Sequence, residues 1–297
     1  MWPNFLVIGA SKAGTTSLHH YLAQHPDIYM SPVKEPHYFS LNGKAPDFKG
    51  VGDRDRMKDA IWETGDYLSL FDGVTTETAI GEISTPYIYW PNAAENIYQQ
   101  RPDTKLIAVL RHPAEVAYSS YLHLRRDGEE ACATFTQALA AEPERIANHW
   151  ESIWHYQALG FYGQQLQRYY QHFPKEQIRI YLYENYLSDP ESTLKDMFDF
   201  LQVDATFTPT MRERHNVSTQ PKSQGLNQLI LKPNPLKTLA KKLPTGLRTT
   251  LSNQLKRFNT GQRPQLSAEL KAQLTAQYRD DILLLQKLIQ RDLSSWL

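Results

Sequence analysis

Short apolar runs alternate along this chain with longer stretches whose apolar positions recur at helical spacing. The runs at Phe5–Ile8, Asp27–Met30, Thr78–Ile83, Lys105–Leu110 and Gln177–Tyr183 predict five strands. Helical patterns predict helices at Thr16–Gln24, Pro91–Gln100, Pro113–Arg126, Leu159–His172, Pro190–Leu201 and Ser267–Arg291. Three of these open on proline, which suits a first helical turn because its missing N–H would have no partner there. Strands that alternate with helices in this way predict an α/β fold with a central parallel sheet flanked by helices. No internal repeat or low-complexity tract interrupts the pattern.

The first strand runs into a loop that resembles a nucleotide-binding P-loop with one residue displaced. Gly9 and Gly14 keep the Walker A spacing, and Thr15 and Thr16 follow, but the loop's cation, Lys12, precedes the second glycine. Unpaired N–H groups at the start of the next helix, with Gly14 allowing close approach, make an anion site suited to a phosphate. An ordinary strand-to-helix turn capped by a hydroxyl is the plainer alternative.

Two more stretches gain meaning from that loop. The strand Lys105–Leu110 delivers Arg111 to its carboxyl end, and the helix after it presents Ser119 about two turns later. A guanidinium fork and a hydroxyl there suit a second phosphate, although an arginine in that place is more often a surface ion-pair residue. After the second strand, Glu35 and His37 stand two apart around Pro36, close enough for one to serve or orient the other near a reacting group. Without the phosphate loop they would read as ordinary polar loop residues.

Composition removes several classes of function. With 297 residues the chain can bury a sizeable core, and a formal net charge of +0 gives no long-range attraction to nucleic acid. One cysteine, Cys132, excludes an internal disulfide and a cysteine-based zinc cluster, and its expected role is packing. The segment before Phe5 lacks a basic n-region, and no apolar run reaches the length of a membrane span. A cytoplasmic protein is the expectation. Residues 222–263 hold nine Lys or Arg and no Asp or Glu, with interleaved leucines. Such a stretch fits a helical, variable excursion. Peripheral membrane contact is disfavoured because Pro233, Pro235 and Pro244 break any long amphipathic helix.

Taken together, KAGTT at Lys12–Thr16, HPDIYMSPVKEPHYF at His25–Phe39, GEISTPYIY at Gly81–Tyr89 and RHPAEVAYSSY at Arg111–Tyr121 resemble the sulfotransferases that use 3'-phosphoadenosine 5'-phosphosulfate (PAPS). The similarity is greatest to the branch holding the heparan sulfate N- and 3-O-sulfotransferases. It implies one sulfotransferase domain over residues 1–297 with a P-loop-like three-layer α/β fold. Lys12, Ala13, Gly14, Thr15, Thr16 and Ser17 would then hold the 5'-phosphosulfate. Arg111 and Ser119 would hold the 3'-phosphate, with Lys222 or Arg214 a candidate to complete that site, and Tyr162 would line the nucleotide pocket. Glu35 would be the catalytic base with His37 beside it, and Lys12 would stabilise the leaving group, 3'-phosphoadenosine 5'-phosphate (PAP). No metal is implied.

The chain departs from glycosaminoglycan members at two places, with Ile83 where they carry lysine and Ser40 where they carry an acid. Losing a cation there points away from a heavily sulfated polymer and toward a small glycan, glycolipid or metabolite. Two other readings stay open at this level: a P-loop small-molecule kinase or NTPase, for which Glu82 is the nearest candidate magnesium ligand, and a catalytically silent nucleotide-binding module.

Overall fold

The computed structural model of the protein describes residues 1–211, 220–221, 223, 260–261 and 264–297. Nearly all of the basic stretch 222–263, Lys222 included, lies outside the described residues, as does Arg214.

Five strands, β1 (Phe5–Gly9), β2 (Ile28–Met30), β3 (Ala79–Ile83), β4 (Lys105–Leu110) and β5 (Ile178–Leu182), form one sheet in the order β2-β3-β1-β4-β5. Every neighbouring pair is parallel, with Phe5 standing opposite both Gly81 and Lys105. Parallel strands need crossovers that cover both faces, so β1 and β3 are buried at every residue. Gly81 is part of that packing, because a Cβ there would run into the Phe5 ring. The chain leaves central β1 for β2 and β3 on one side and reaches β4 on the other. That reversal opens a crevice at the carboxyl ends of the strands.

Eleven helices are described: α1 (Thr15–Leu22), α2 (Tyr38–Leu41), α3 (Asp53–Arg56), α4 (Thr64–Ser69), α5 (Ala93–Gln100), α6 (Pro113–Arg126), α7 (Phe135–Ala147), α8 (Tyr162–His172), α9 (Tyr183–Ser188), α10 (Pro190–Leu201) and α11 (Ala268–Ile289). All five expected strands and six expected helices are present, their ends within three residues of expectation. The expected start of α8 at Leu159 is instead a 3-10 turn over Ala158–Gly160.

Helix α7 was not expected, because Pro143 lies in its interior and interrupts the pattern. Tertiary contacts and a strong cap keep it helical. Thr134 and Gln137 form a reciprocal capping box at its start. Farther along, Arg145 forks onto buried Glu130 with two bonds of 2.8 Å and lies against the Trp150, Trp154 and Tyr156 rings. Glu142 accepts from the backbone N–H groups of Gln157 and Ala158 at 2.7 and 2.8 Å.

The C-terminal helix α11 packs on α6 and α8. Its Asp281 carboxylate accepts from the N–H groups of Gly163 and Gln164 at 2.8 and 2.9 Å, satisfying two donors that the start of α8 leaves open. A Cβ at Gly163 would come within 2.6 Å of the Asp281 carbonyl oxygen, so the close approach requires glycine. Among the described residues no helix is long and apolar enough to cross a membrane. Cys132 is a free, half-buried cysteine packed at the edge of the core.

Candidate active site

A cleft of about 930 Å³ opens at the carboxyl ends of the strands, lined by segments that are distant in sequence. Loop β1–α1 forms its floor. Gly14 takes a left-handed φ of 80° and caps α1, and a Cβ on it would come within 3.1 and 3.2 Å of the Tyr183 and Tyr186 rings. Only glycine both makes that turn and leaves the space open. Lys12 bears the same handedness, with a φ of 62°, where a side chain costs on the order of 1 kcal/mol. Lys12, Gly14, Thr15, Thr16 and Ser17 all face the cleft, whereas the Ala13 side chain is turned into the core.

Arg111 leaves β4 beside this loop. Its guanidinium donates to the Lys12 carbonyl at 3.3 Å and to Glu115 at 3.1 Å and stacks 4.9 Å from the Tyr183 ring centre. The ion pair that the plainer reading anticipated is present, and the fork still lines the cleft with Ser119 on the second turn of α6. Tyr183 and Tyr186, on unpredicted α9, form an aromatic wall here. The Tyr186 hydroxyl is buried with no hydrogen-bond partner among the described residues. A buried hydroxyl and two rings packed close against a glycine turn fit a bound planar, phosphorylated ligand.

The opposite wall carries Glu35 and His37, whose φ values are both 61°. This strained turn is held by β3 and the residues after it. The Glu35 N–H donates to the Ile83 carbonyl at 2.8 Å and the His37 N–H to the Ser84 hydroxyl at 3.1 Å. The Glu35 carboxylate accepts from the Thr85 N–H at 2.7 Å, the Thr85 hydroxyl at 3.0 Å and the Lys34 ammonium at 2.7 Å. Burial alone would raise its pKa, but the charges of Lys34 and His37 and these bonds bring it below the ordinary carboxylate value. Glu35 therefore stands ionised and able to take a proton. Since Thr85 spends its proton on Glu35, Ser11 donates to Thr85 at 2.9 Å, tying the β1–α1 loop to the Glu35 turn.

Several of these residues carried no role in the sequence reading. Thr85 sits inside GEISTPYIY, so that motif marked its stretch without singling out the side chain, whereas Tyr183 lies outside the four stretches that carry the resemblance. His123, one turn beyond Ser119, also lines the cleft. Burial first, then the nearby Lys12 charge, lowers its pKa to about 3, so it is neutral at physiological pH.

Tyr162 is not brought to the cleft wall. It is 1% exposed, packed toward Trp296, and its hydroxyl has no partner among the described residues. Trp154, Tyr156 and Tyr169 in the aromatic stretch around it are likewise core. Ile83 is fully buried on β3 and off the cleft, while Lys34 and Arg56 reach it. Glu82, the candidate magnesium ligand of the kinase reading, is turned into the core beneath the Glu35 turn and does not line the cleft.

Residues 3–229 match the sulfotransferase domain family. A solved sulfotransferase from Alicyclobacillus acidocaldarius is similar at 34% identity and a TM-score of 0.79, covering 100% of this chain and 99% of that one. The membrane-associated sulfotransferase kil1 of Dictyostelium discoideum is 24% identical over 306 residues, 77% of this chain and 62% of that protein. The heparan sulfate glucosamine 3-O-sulfotransferase 3B1 of Homo sapiens is 28% identical over 217 residues, 69% of this chain and 47% of that protein. The chain spans 44 to 62% of the length of such curated relatives.

Proposed function

The chain belongs to the sulfotransferase domain family, and on that premise we propose that it transfers a sulfuryl group from PAPS to a hydroxyl or amine of a glycan, glycolipid or small metabolite. One observation carries the reading. A phosphate loop bearing Lys12 and an ionised carboxylate, Glu35, face each other across one cleft and are linked through Ser11 and Thr85. PAPS would supply the sulfuryl group and leave as PAP.

The residues divide the work by charge. The backbone of Gly14–Ser17 and the hydroxyls of Thr15, Thr16 and Ser17 offer donors to the 5'-phosphate, while Arg111 and Ser119 offer them to the 3'-phosphate. Tyr183 and Tyr186 present a ring wall to the base. Lys12 supplies positive charge where the departing phosphate oxygen gains negative charge. Glu35 takes the acceptor's proton as the new oxygen–sulfur or nitrogen–sulfur bond forms and the bond to the 5'-phosphate oxygen breaks. A sulfuryl group bears less charge than a γ-phosphoryl group, so one ammonium and the loop donors suit it without a metal clamp.

Curated relatives named as carbohydrate and heparan sulfate sulfotransferases support a carbohydrate acceptor. The acceptor side combines Lys34 and Arg56 with Asp59 and Glu151, a mixed-charge wall suited to a small glycan better than to a polyanion. We assign the activity to the cytoplasm. The kinase alternative loses its acid, because Glu82 is buried away from the cleft. PAP should raise the melting temperature strongly and magnesium-ATP weakly, since a ligand that binds only the folded state stabilises it. The reverse order would sink the proposal. Transfer of radiolabelled sulfate from PAPS into a panel of glycosides then identifies the acceptor.

A further inference from the structure

Glu82 takes no part in the steps above, yet it lies directly under the catalytic turn. Its carboxyl is fully buried on β3. The Tyr67 hydroxyl on α4 donates to Oε1 at 3.3 Å and the Ser84 hydroxyl to Oε2 at 3.0 Å. Tyr87, on the turn after β3, adds a third hydroxyl, and its oxygen also accepts from the Phe39 N–H at 3.3 Å. Three hydroxyls and one carboxylate, that of Glu35, bear most strongly on Glu82 among the described residues, and the Lys34 ammonium is bonded to Glu35. An ionised Glu82 would be a buried charge facing a second negative charge. Burial first, and Glu35 also, push its pKa up to about 8.

The same hydroxyl that touches Glu82 holds the turn. Ser84 accepts from the His37 N–H at 3.1 Å while donating to Glu82. Glu35 and His37 flank Pro36 in left-handed conformations that side-chain-bearing residues sparsely populate, so the turn leans on these bonds. We propose that Glu82 is a positioning residue that acts as a neutral carboxylic acid, fixing the His37 end of the turn through Ser84 and keeping a second charge away from Glu35. This rests on Glu35 being the base. Loss of the Glu82 proton would put an uncompensated buried charge beneath the turn and draw the Ser84 hydroxyl more tightly onto the new carboxylate, shifting its hold on the His37 N–H, so transfer should fall on the alkaline side.

The test follows PAP release from PAPS, with water or a glycoside as acceptor, across neutral and alkaline pH. Wild-type kcat should fall with an apparent pKa near 8, whereas Glu82→Gln, which cannot ionise, should lack that fall. Ser84→Ala should lower kcat at least about tenfold while PAP affinity by calorimetry stays the same. An unaltered alkaline fall in Glu82→Gln overturns the proposal. Should that variant not fold, infrared titration of the wild-type PAP complex decides. The proposal requires a protonated-carboxyl band at neutral pH that shifts in Ser84→Ala and vanishes on the alkaline side. Its absence at neutral pH counts against Glu82. Wild-type protein that never converts PAPS overturns the reading of the site itself, and the infrared result then judges the neutrality of Glu82 separately.

Discussion

Thr85 holds the Glu35 carboxylate at both oxygens, its N–H donating to Oε2 at 2.7 Å and its hydroxyl to Oε1 at 3.0 Å. Two bonds from one residue fix the direction of the carboxylate as well as its charge. Replacing Thr85 with valine keeps the shape and removes the hydroxyl bond. The Glu35 pKa should rise, the acid limb of the rate profile should move to higher pH, and kcat should fall about tenfold to a hundredfold. PAP affinity should be unaffected. A pH-rate series beside PAP titration measures both.

Lys12 and Arg111 should separate catalysis from binding. Lys12→Ala removes charge that is needed most as the bond breaks, so kcat should drop about a hundredfold or more with a smaller loss of PAP affinity. Arg111→Ala removes a charge-assisted fork and should weaken PAP binding by about 1.5–3 kcal/mol. Calorimetry with PAP and single-turnover transfer from PAPS give the two numbers, and equal behaviour of the two variants would contradict the division of roles.

Gly14→Ala places a methyl against the Tyr183 and Tyr186 rings at a φ of 80°. Strain alone is about 1 kcal/mol or more, and the added clash should close the floor of the cleft. Loss of PAP binding with a modest fall in melting temperature is expected. Thermal shift with and without PAP distinguishes this from general unfolding.

Glu130 and Arg145 hold α7 in spite of its internal proline. Arg145→Ala leaves a carboxylate that is wholly buried without its partner, and should destabilise the fold by about 3–5 kcal/mol. Denaturant unfolding checks it. Replacing Pro143 with alanine should act the other way, since it restores a helical hydrogen-bond donor.

Stability should be limited at both ends of the pH scale. Burial lowers His112 and His155 to about 4 and His123 to about 3, from an ordinary value of 6.5. The unfolded chain then binds more protons, so their contribution is present above pH 6.5 and lost as pH falls through those lower values. Glu82 has the opposite sign. Its raised pKa makes the folded state bind more protons between 4.5 and about 8, so its contribution is complete below that range and lost as pH rises through it. Melting temperature across pH should therefore show a maximum, and Glu82→Gln should flatten its alkaline side.

How much of this was legible in the chain differs by element. The strands and the six expected helices follow from apolar spacing, because a buried parallel sheet and its covering helices need continuous or periodic apolar faces. Helix α7 was hidden by Pro143, whose cost is met by an ion pair to a residue outside the helix. Helix α9 is only six residues long, too short for a period to show, and it carries the ring wall of the cleft.

The sequence by itself determined the strands of the sheet, the glycine turn between β1 and α1 and the residues that bear charge, since these depend on residue type and local order. Tertiary structure alone decided that Thr85 orients Glu35 and that Tyr183 and Tyr186 close over Gly14. It also decided that Tyr162 and Glu82 belong beneath the surface. Those outcomes depend on which side chains meet across parallel strands far apart in the chain, and on how much water burial removes from each ionisable group.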